Sequence, residues 1–282
     1  MYEKPGKRVL PSVSIVPIPT APENSRKMVG GVFRSEGDPR LSESAGIQLI
    51  ERVHEAMLSS GLSFNAYGRQ RLSRSELPPD YFMAAMALKE SSWNPFAKGG
   101  VGERGMFQLR PGTAKELWNE AGGVPAGVLS LANSFVDNLP EEHRKALARA
   151  GIRLSRVNAG AGFDANHLYN PVINTYLATL NNVKNLRWTA KYSYKNNPLV
   201  KSIERSLQKE LGANLSRYSG EMEPSRFIAV AIAYNGGRFS VESAEQKNPS
   251  QRYQRNVETY AKYMLKHARH YQQTMVSGVQ KG

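Results

Sequence analysis

The segment PPDYFMAAMALKESS, Pro78 to Ser92, constrains this chain more than any other. Pro78-Pro79-Asp80 reads as a helix start, and the residues after it are apolar almost all round, the pattern of a helix buried in a core. Asn94-Pro95 disfavours continuation, so Glu90 falls in the last turn. Met83, Ala84, Met86, Ala87 and Leu88 desolvate its carboxylate, and the helix C-terminus adds partial negative charge; both effects raise its pKa. A carboxyl group kept protonated near neutral pH is what general acid chemistry needs. A solitary glutamate at a helix end is ordinarily a solvated residue, so the residues that follow must carry the argument.

They read SSWNPFAKGGVGERGMFQ, from Ser91 to Gln108. Gly99, Gly100, Gly102 and Gly105 let backbone approach a ligand closely. Met106-Phe107 is an apolar pair able to pin the turn to a core, and Gln108 adds an amide donor and acceptor. Much later, AIAYNGG from Ala231 to Gly237 forms another helix end, with Tyr234 and Asn235 ahead of two glycines.

Elsewhere the periodicity is that of helices. One opens at Ser42 or Ser44, turns Ile47, Ile50, Val53 and Met57 to one face and stops at Gly61. Others are expected near 113–121, 140–150, 171–184, 198–211, 224–234 and 250–270, while alternating β-branched runs are scarce. The expected fold class is mainly α. Residues 1–40 hold Pro5, Pro11, Pro17, Pro19, Pro22 and Pro39 and read as an extended arm. The main domain is expected over 41–275, followed by a tail at 276–282.

The 282 residues suffice for a sizeable core. With no cysteine, that core has no disulfide framework to support it. The net charge of +14 attracts polyanions: nucleic acid, anionic lipid or acidic wall polymers. Lys184, Arg187, Lys191, Lys195, Lys201 and Arg205, interleaved with Trp188, Tyr192 and Tyr194, read first as a surface or wall contact; single-stranded nucleic acid is the less favoured partner. His267 and His270 lack an acidic companion at metal spacing, and no phosphate-cradling or dinucleotide motif occurs, so neither metal nor cofactor is expected. No apolar run is long enough for a membrane span. The absence of a signal-peptide pattern predicts synthesis in a cytoplasm, outside the usual secretory route.

Four blocks together resemble the soluble lytic transglycosylase family, lysozyme-like enzymes that cut peptidoglycan. The family pattern E-S-x-x-N-P-x-A-x-S-x-x-G-A-x-G-L-M-Q falls without a gap on Glu90, Ser91, Asn94, Pro95, Ala97, Gly102, Gly105 and Gln108. Its A-Y-N-x-G falls on Ala233, Tyr234, Asn235 and Gly237. NPVIN, Asn170 to Asn174, resembles its D-P-x-x-N helix start, and Tyr260 in ETYAKYML resembles the tyrosine of its Y-V-x-x-V-L helix. The resemblance covers about residues 75–270, with insertions near 112–165 and 185–222. Four positions depart from the pattern. Gly99 replaces a serine and so removes a hydroxyl, Met106-Phe107 replaces Leu-Met, and Glu103 replaces an alanine.

The resemblance implies a lysozyme-like catalytic domain acting on peptidoglycan glycan strands with Glu90 as the catalytic acid. Gln108, Met106, Tyr234, Asn235 and Ser91 would shape the site and bind substrate, and Tyr260 would orient Glu90. It also implies cleavage between N-acetylmuramic acid and N-acetylglucosamine to leave 1,6-anhydro ends. The stretch GGVGERGMFQ is similar to the loop of goose-type lysozymes in which an aspartate helps a hydrolytic water. The alternative is therefore hydrolysis with Glu103 as second carboxylate. A further alternative is a structural virion or nucleic-acid-binding protein with a vestigial site. A wall-cutting chain without an export signal needs another route to its substrate. The expectation is a virion-associated protein of a bacterial virus, attached to tail or other virion proteins through residues 1–40 and delivered to the periplasm or cell wall.

Overall fold

The computed structural model describes residues 40–279 apart from 67–68, 140, 192–193, 213 and 237–250. The expected arm lies outside the described residues, except for Arg40. In chain order the elements are α1 (Glu43–Ser59), a hairpin of β1 (Ser63–Asn65) and β2 (Arg69–Arg71), α2 (Asp80–Ser91), α3 (Pro111–Ala121), α4 (Ala126–Asp137) and α5 (Glu141–Arg149). They continue with α6 (Pro171–Lys191), α7 (Pro198–Leu211), α8 (Ser216–Ser219), α9 (Pro224–Gly236) and α10 (Gln251–Val279). The mainly α expectation holds.

The all-round apolar pattern of α2 has the meaning read from it: Tyr81 to Ala87 are all buried. α2 lies against α10 and α1, while α6 packs on α9, α1 and α4. α6 is still more enclosed, with Pro171 to Leu180 entirely buried. Polar residues tie these helices together where apolar contact alone would allow sliding. His54 of α1 is wholly buried and bonds Asp80, the first residue of α2, through Nδ1 at 2.6 Å, and Thr179 of α6 through Nε2 at 3.1 Å. A buried imidazole with both nitrogens satisfied costs little and fixes the relative height of three helices.

Several element ends differ from expectation. Ser42, not Ser44, caps α1 by accepting from Ala45 N. α2 does stop before Asn94-Pro95 as expected, closed by Ser92 and Trp93 in left-handed backbone at φ 54° and 64°. α6 runs past 184 to Lys191, and α10 continues through Val279 into the segment expected as a tail. α4 and the hairpin went unread: α4 has no polar cap and starts from Pro125, and each strand is only three residues long. The segment expected as a first insertion folds as α3, α4, α5 and a loop, and the second includes α7 and α8.

The basic cluster is not one surface. Lys184 is buried in an ion pair with Glu120 at 2.6 Å. Arg187 pairs with Glu76 and donates to Phe64 O and Ala66 O, fastening the hairpin to α6.

The turn after α2 is set by Trp93. Its indole Nε1 donates to Tyr271 Oη of α10 at 3.1 Å, and its ring lies where a Cβ on Gly46 of α1 would stand, less than 3.0 Å away. Gly46→Ala is therefore expected to overpack this junction and lower stability by about 1–3 kcal/mol. Gly127→Ala in α4, whose new methyl would find only ordinary contacts of 3.5 Å or more, is expected to be neutral or stabilising. Urea denaturation midpoints of the two variants check the contrast.

Candidate functional site

Glu90 sits one residue before the end of α2, half-buried beneath α10. The phenol of Tyr260 on α10 donates to Glu90 Oε1 at 2.6 Å, joining residues 170 apart in sequence. Burial pushes the Glu90 carboxyl from 4.5 to about 7. The Tyr260 hydrogen bond and the Lys89 ammonium oppose that rise, and the negative charge of Glu103 adds to it. Lys89 Nζ lies over the rings of Tyr260 and Tyr263 at 5.8 and 5.2 Å, a place the sequence did not single out. Tyr260 and Tyr234 are themselves held well above the ordinary phenol range, first by burial and then by the Glu90 charge, so both remain hydrogen-bond donors.

The glycine-rich turn reaches the acid by a tightly bonded path. Short bridges join Lys98 to Arg104 and Arg104 to Leu109, and Gly105 N donates to Ala97 O at 2.9 Å. Gly105 has φ +80°, and a Cβ there would come within 3.0 Å of Leu168 O and Asn174 Nδ2. This glycine is required both by conformation and by space. Asn174, the last residue of NPVIN, accepts from Phe107 N at 2.7 Å and donates to Arg104 O at 3.1 Å. It is the clamp of the turn. The motif was legible, but this task was not, because it depends on a contact across 67 residues. Tyr234 Oη donates to Phe107 O at 2.6 Å, so α9 also holds this turn.

Gln108 adopts φ 50°. Its Nε2 donates to Ala97 O at 3.2 Å and Gly105 O at 2.8 Å. With the nitrogen so used, the side chain offers a ligand its oxygen, not both ends of the amide. Among the described residues, the non-glycine residues with positive φ are Ser92, Trp93 and Gln108, and all three flank this constellation. Backbone strain gathered in one place, at a cost of order 1–3 kcal/mol per residue, singles this constellation out as the candidate site.

Two expected substrate contacts need correction. Met106 is wholly buried and has no surface to present; it belongs to the core that the turn is pinned to. Ser91 is buried too, and its hydroxyl donates to Ala87 O at 3.3 Å while accepting from Asn94 N at 3.0 Å. It closes the end of α2. Tyr234 is half-buried, with its hydroxyl engaged as above. Asn235 is exposed at the end of α9, and the Gly237 of its motif lies outside the described residues. Glu90, Tyr260, Tyr234, Gln108 and Glu103 do converge. Two cavities, of about 550 and 660 Å³, lie elsewhere, one beside Arg74, Tyr81 and Arg226 and the other between α1 and the α3–α4 turn; neither is lined by Glu90. They hold no comparably perturbed acid, so chemistry rather than volume locates the site.

Because the folded carboxyl binds its proton more tightly than the unfolded one, the folded state holds the extra proton between pH 4.5 and about 7, and stability falls as pH rises through that window. The gap corresponds to roughly 3 kcal/mol. Glu90→Gln, which keeps an acceptor for Tyr260, is expected to raise the melting temperature above wild type at pH 8 and to change it much less at pH 4. Thermal melts at both pH values check this.

The transglycosylase SLT domain family matches residues 66–129, the stretch that holds Glu90, Glu103 and Gln108. The soluble lytic murein transglycosylases of Escherichia coli strain K12 and of Escherichia coli O157:H7 are each 43% identical to this chain over 53 residues. That is 19% of this chain and 8% of theirs, so the likeness covers a small part of those proteins. No solved structure matches. The matched segment carries the buried acid and the glycine-rich turn, so this part of the chain is similar to the transglycosylase SLT domain.

Proposed function

We propose that this protein is a peptidoglycan lytic transglycosylase with Glu90 as its single catalytic carboxyl group. The observation that carries the reading is a glutamic acid lifted to about 7 at the end of a buried helix, hydrogen-bonded by Tyr260, inside an SLT domain. At neutral pH such a group exists in both forms, so it can give a proton and take one back.

Protonated Glu90 gives its proton to the oxygen linking N-acetylmuramic acid to N-acetylglucosamine, and the bond to the anomeric carbon breaks as that oxygen leaves as a hydroxyl. The substrate's own N-acetyl carbonyl stabilises the cationic centre. Glu90, now ionised, removes the proton from the muramoyl 6-hydroxyl as that oxygen closes on the anomeric carbon. The 1,6-anhydro sugar forms, no water is consumed, and the acid is restored. Tyr260 holds the carboxyl in one rotamer through both transfers. The Gln108 oxygen accepts an acetamido N–H, and Tyr234 keeps the Phe107 strand in place beside it.

A second reading, hydrolysis with inversion, draws support from the electrostatic reach of Glu103 to Glu90. Product analysis separates the two. Digestion of purified peptidoglycan is expected to give anhydro-muramic ends; free reducing ends alone would favour hydrolysis. Glu90→Gln is expected to lose roughly 10²–10⁴-fold in rate. Tyr260→Phe, which removes a bond that lowers the Glu90 pKa, is expected to reduce kcat and move the alkaline limb of the pH–rate profile upward.

The substrate class is peptidoglycan, and no helix among the described residues is long and apolar enough to cross a membrane. The proline-rich residues 1–40 support the further proposal that the protein travels as part of a bacterial virus particle. Purified particles are then expected to contain the intact chain, whereas a free lytic enzyme would be found in infected-cell lysate alone.

A further inference from the structure

Glu103 has a more elaborate setting than a solvated turn residue needs. Arg110 Nε donates to its Oε1 at 3.1 Å and the backbone N–H of Val101 to its Oε2 at 3.2 Å. Its side chain is 18% exposed, against 67% for Arg110. The Glu103 carbonyl also accepts from Gly99 N at 2.8 Å. A Cβ on Gly99 would fall within 3.0 Å of both Glu103 Oε2 and Gln108 Oε1. The bare glycine is therefore what lets the carboxylate and the Gln108 oxygen converge over one spot. Glycine at 99 and glutamate at 103 are two of the departures from the family pattern, and here they fit each other: one vacates the space that the other fills.

We propose, building on the Glu90 reading above, that Glu103 is a positioning residue for that acid. Its clamped carboxylate braces the glycine-rich rim and Gln108 and presents a fixed negative charge toward Glu90, with Arg110 as the tempering counter-ion. Through the same bond Glu103 holds Val101, 71% exposed, at the tip of the turn. The other charged or titratable groups that face Glu90 are Lys89 beside it on α2, Tyr260 from α10 and Tyr234 from α9. In this role Glu103 exchanges no proton with water or substrate.

The charge argument fixes opposite signs for two substitutions. Removing the Glu103 charge lowers the proton affinity of Glu90; removing the Arg110 charge leaves Glu103 untempered and raises it. The test is kcat/KM against pH on purified peptidoglycan for full-length wild type, Glu103→Gln, Arg110→Ala, Arg110→Lys and Glu90→Gln, with circular dichroism melts of each. The alkaline limb is expected to move to lower pH in Glu103→Gln and to higher pH in Arg110→Ala, and to return near wild type in Arg110→Lys. Limbs that stay still, or move in the same direction, would overturn the proposal. So would free reducing ends in wild type that vanish in Glu103→Gln, since that is the signature of a base acting on water. Arg110 is mostly exposed, so its variants keep the test open even if Glu103→Gln fails to fold. A fully active Glu90→Gln would instead overturn the assignment of the acid; an inactive one with unmoved limbs would sink the Glu103 role alone.

Discussion

The Tyr260–Glu90 hydrogen bond is the contact on which the site depends, because it limits what burial does to the carboxyl. A carboxylate in an apolar setting without a partner would remain protonated far above neutrality and could not return to its ionised form. A solvated one would be ionised and have no proton to give. Burial and the phenol pull in opposite directions, and the group comes to rest near 7. Tyr260 can play this part because it is buried and its own proton is held tightly. The long packing of α10 against α2 thus has a chemical result as well as a mechanical one.

Holding the acid still is only half of the construction. The glycine-rich turn near it must be held in a conformation that the backbone does not prefer. Gly105 and Gln108 occupy positive φ, and the end of α2 is turned by Ser92 and Trp93 in the same region. None of these geometries would persist alone. Asn174 clamps the turn from α6, Tyr234 from α9, and Trp93 is fixed by Tyr271 and seated over Gly46. Each clamp comes from an element that is itself packed into the core, so the strain is opposed by buried contacts. The result is a set of polar groups whose positions are decided before any ligand arrives.

Legibility in the sequence followed the range of the interaction. The burial of α2 could be read from its composition, and Glu90 from its place at the end of that helix. The glycine turn could be read because left-handed backbone selects glycine locally. Ser91 and Met106 look like polar and apolar contacts in a motif, yet the structure turns both inward; motif membership does not say which way a side chain faces. Asn174 and Lys89 were missed as contributors because one acts across a long loop and the other through its charge. α4 begins without a polar cap, and the hairpin strands are too short to show alternation, so neither had a local signature. The pairing of Gly99 with Glu103 was visible only as two separate departures until their atoms were placed together.

The same distinction between inward and outward applies to the net charge. A value of +14 describes the field at a distance, and such a field favours the approach of anionic polymers. It does not say how many cations remain to touch one. Arg187 spends its guanidinium on Glu76 and the carbonyls of Phe64 and Ala66, Arg226 on Leu186 O and Thr189, and Arg144 on carbonyls at the end of α4. Lys184 is buried against Glu120. These side chains act as cross-links, satisfying carbonyls that helix ends and loops leave over. Their charge still contributes to long-range attraction, but their donors are already engaged by oxygens of the protein. Other cations are exposed, among them the row Lys201, Arg205 and Lys209 along α7, spaced one turn apart. On the proposed reading, a wall polymer would be drawn by the field of the whole molecule, while the cross-linking cations would add little direct contact to it.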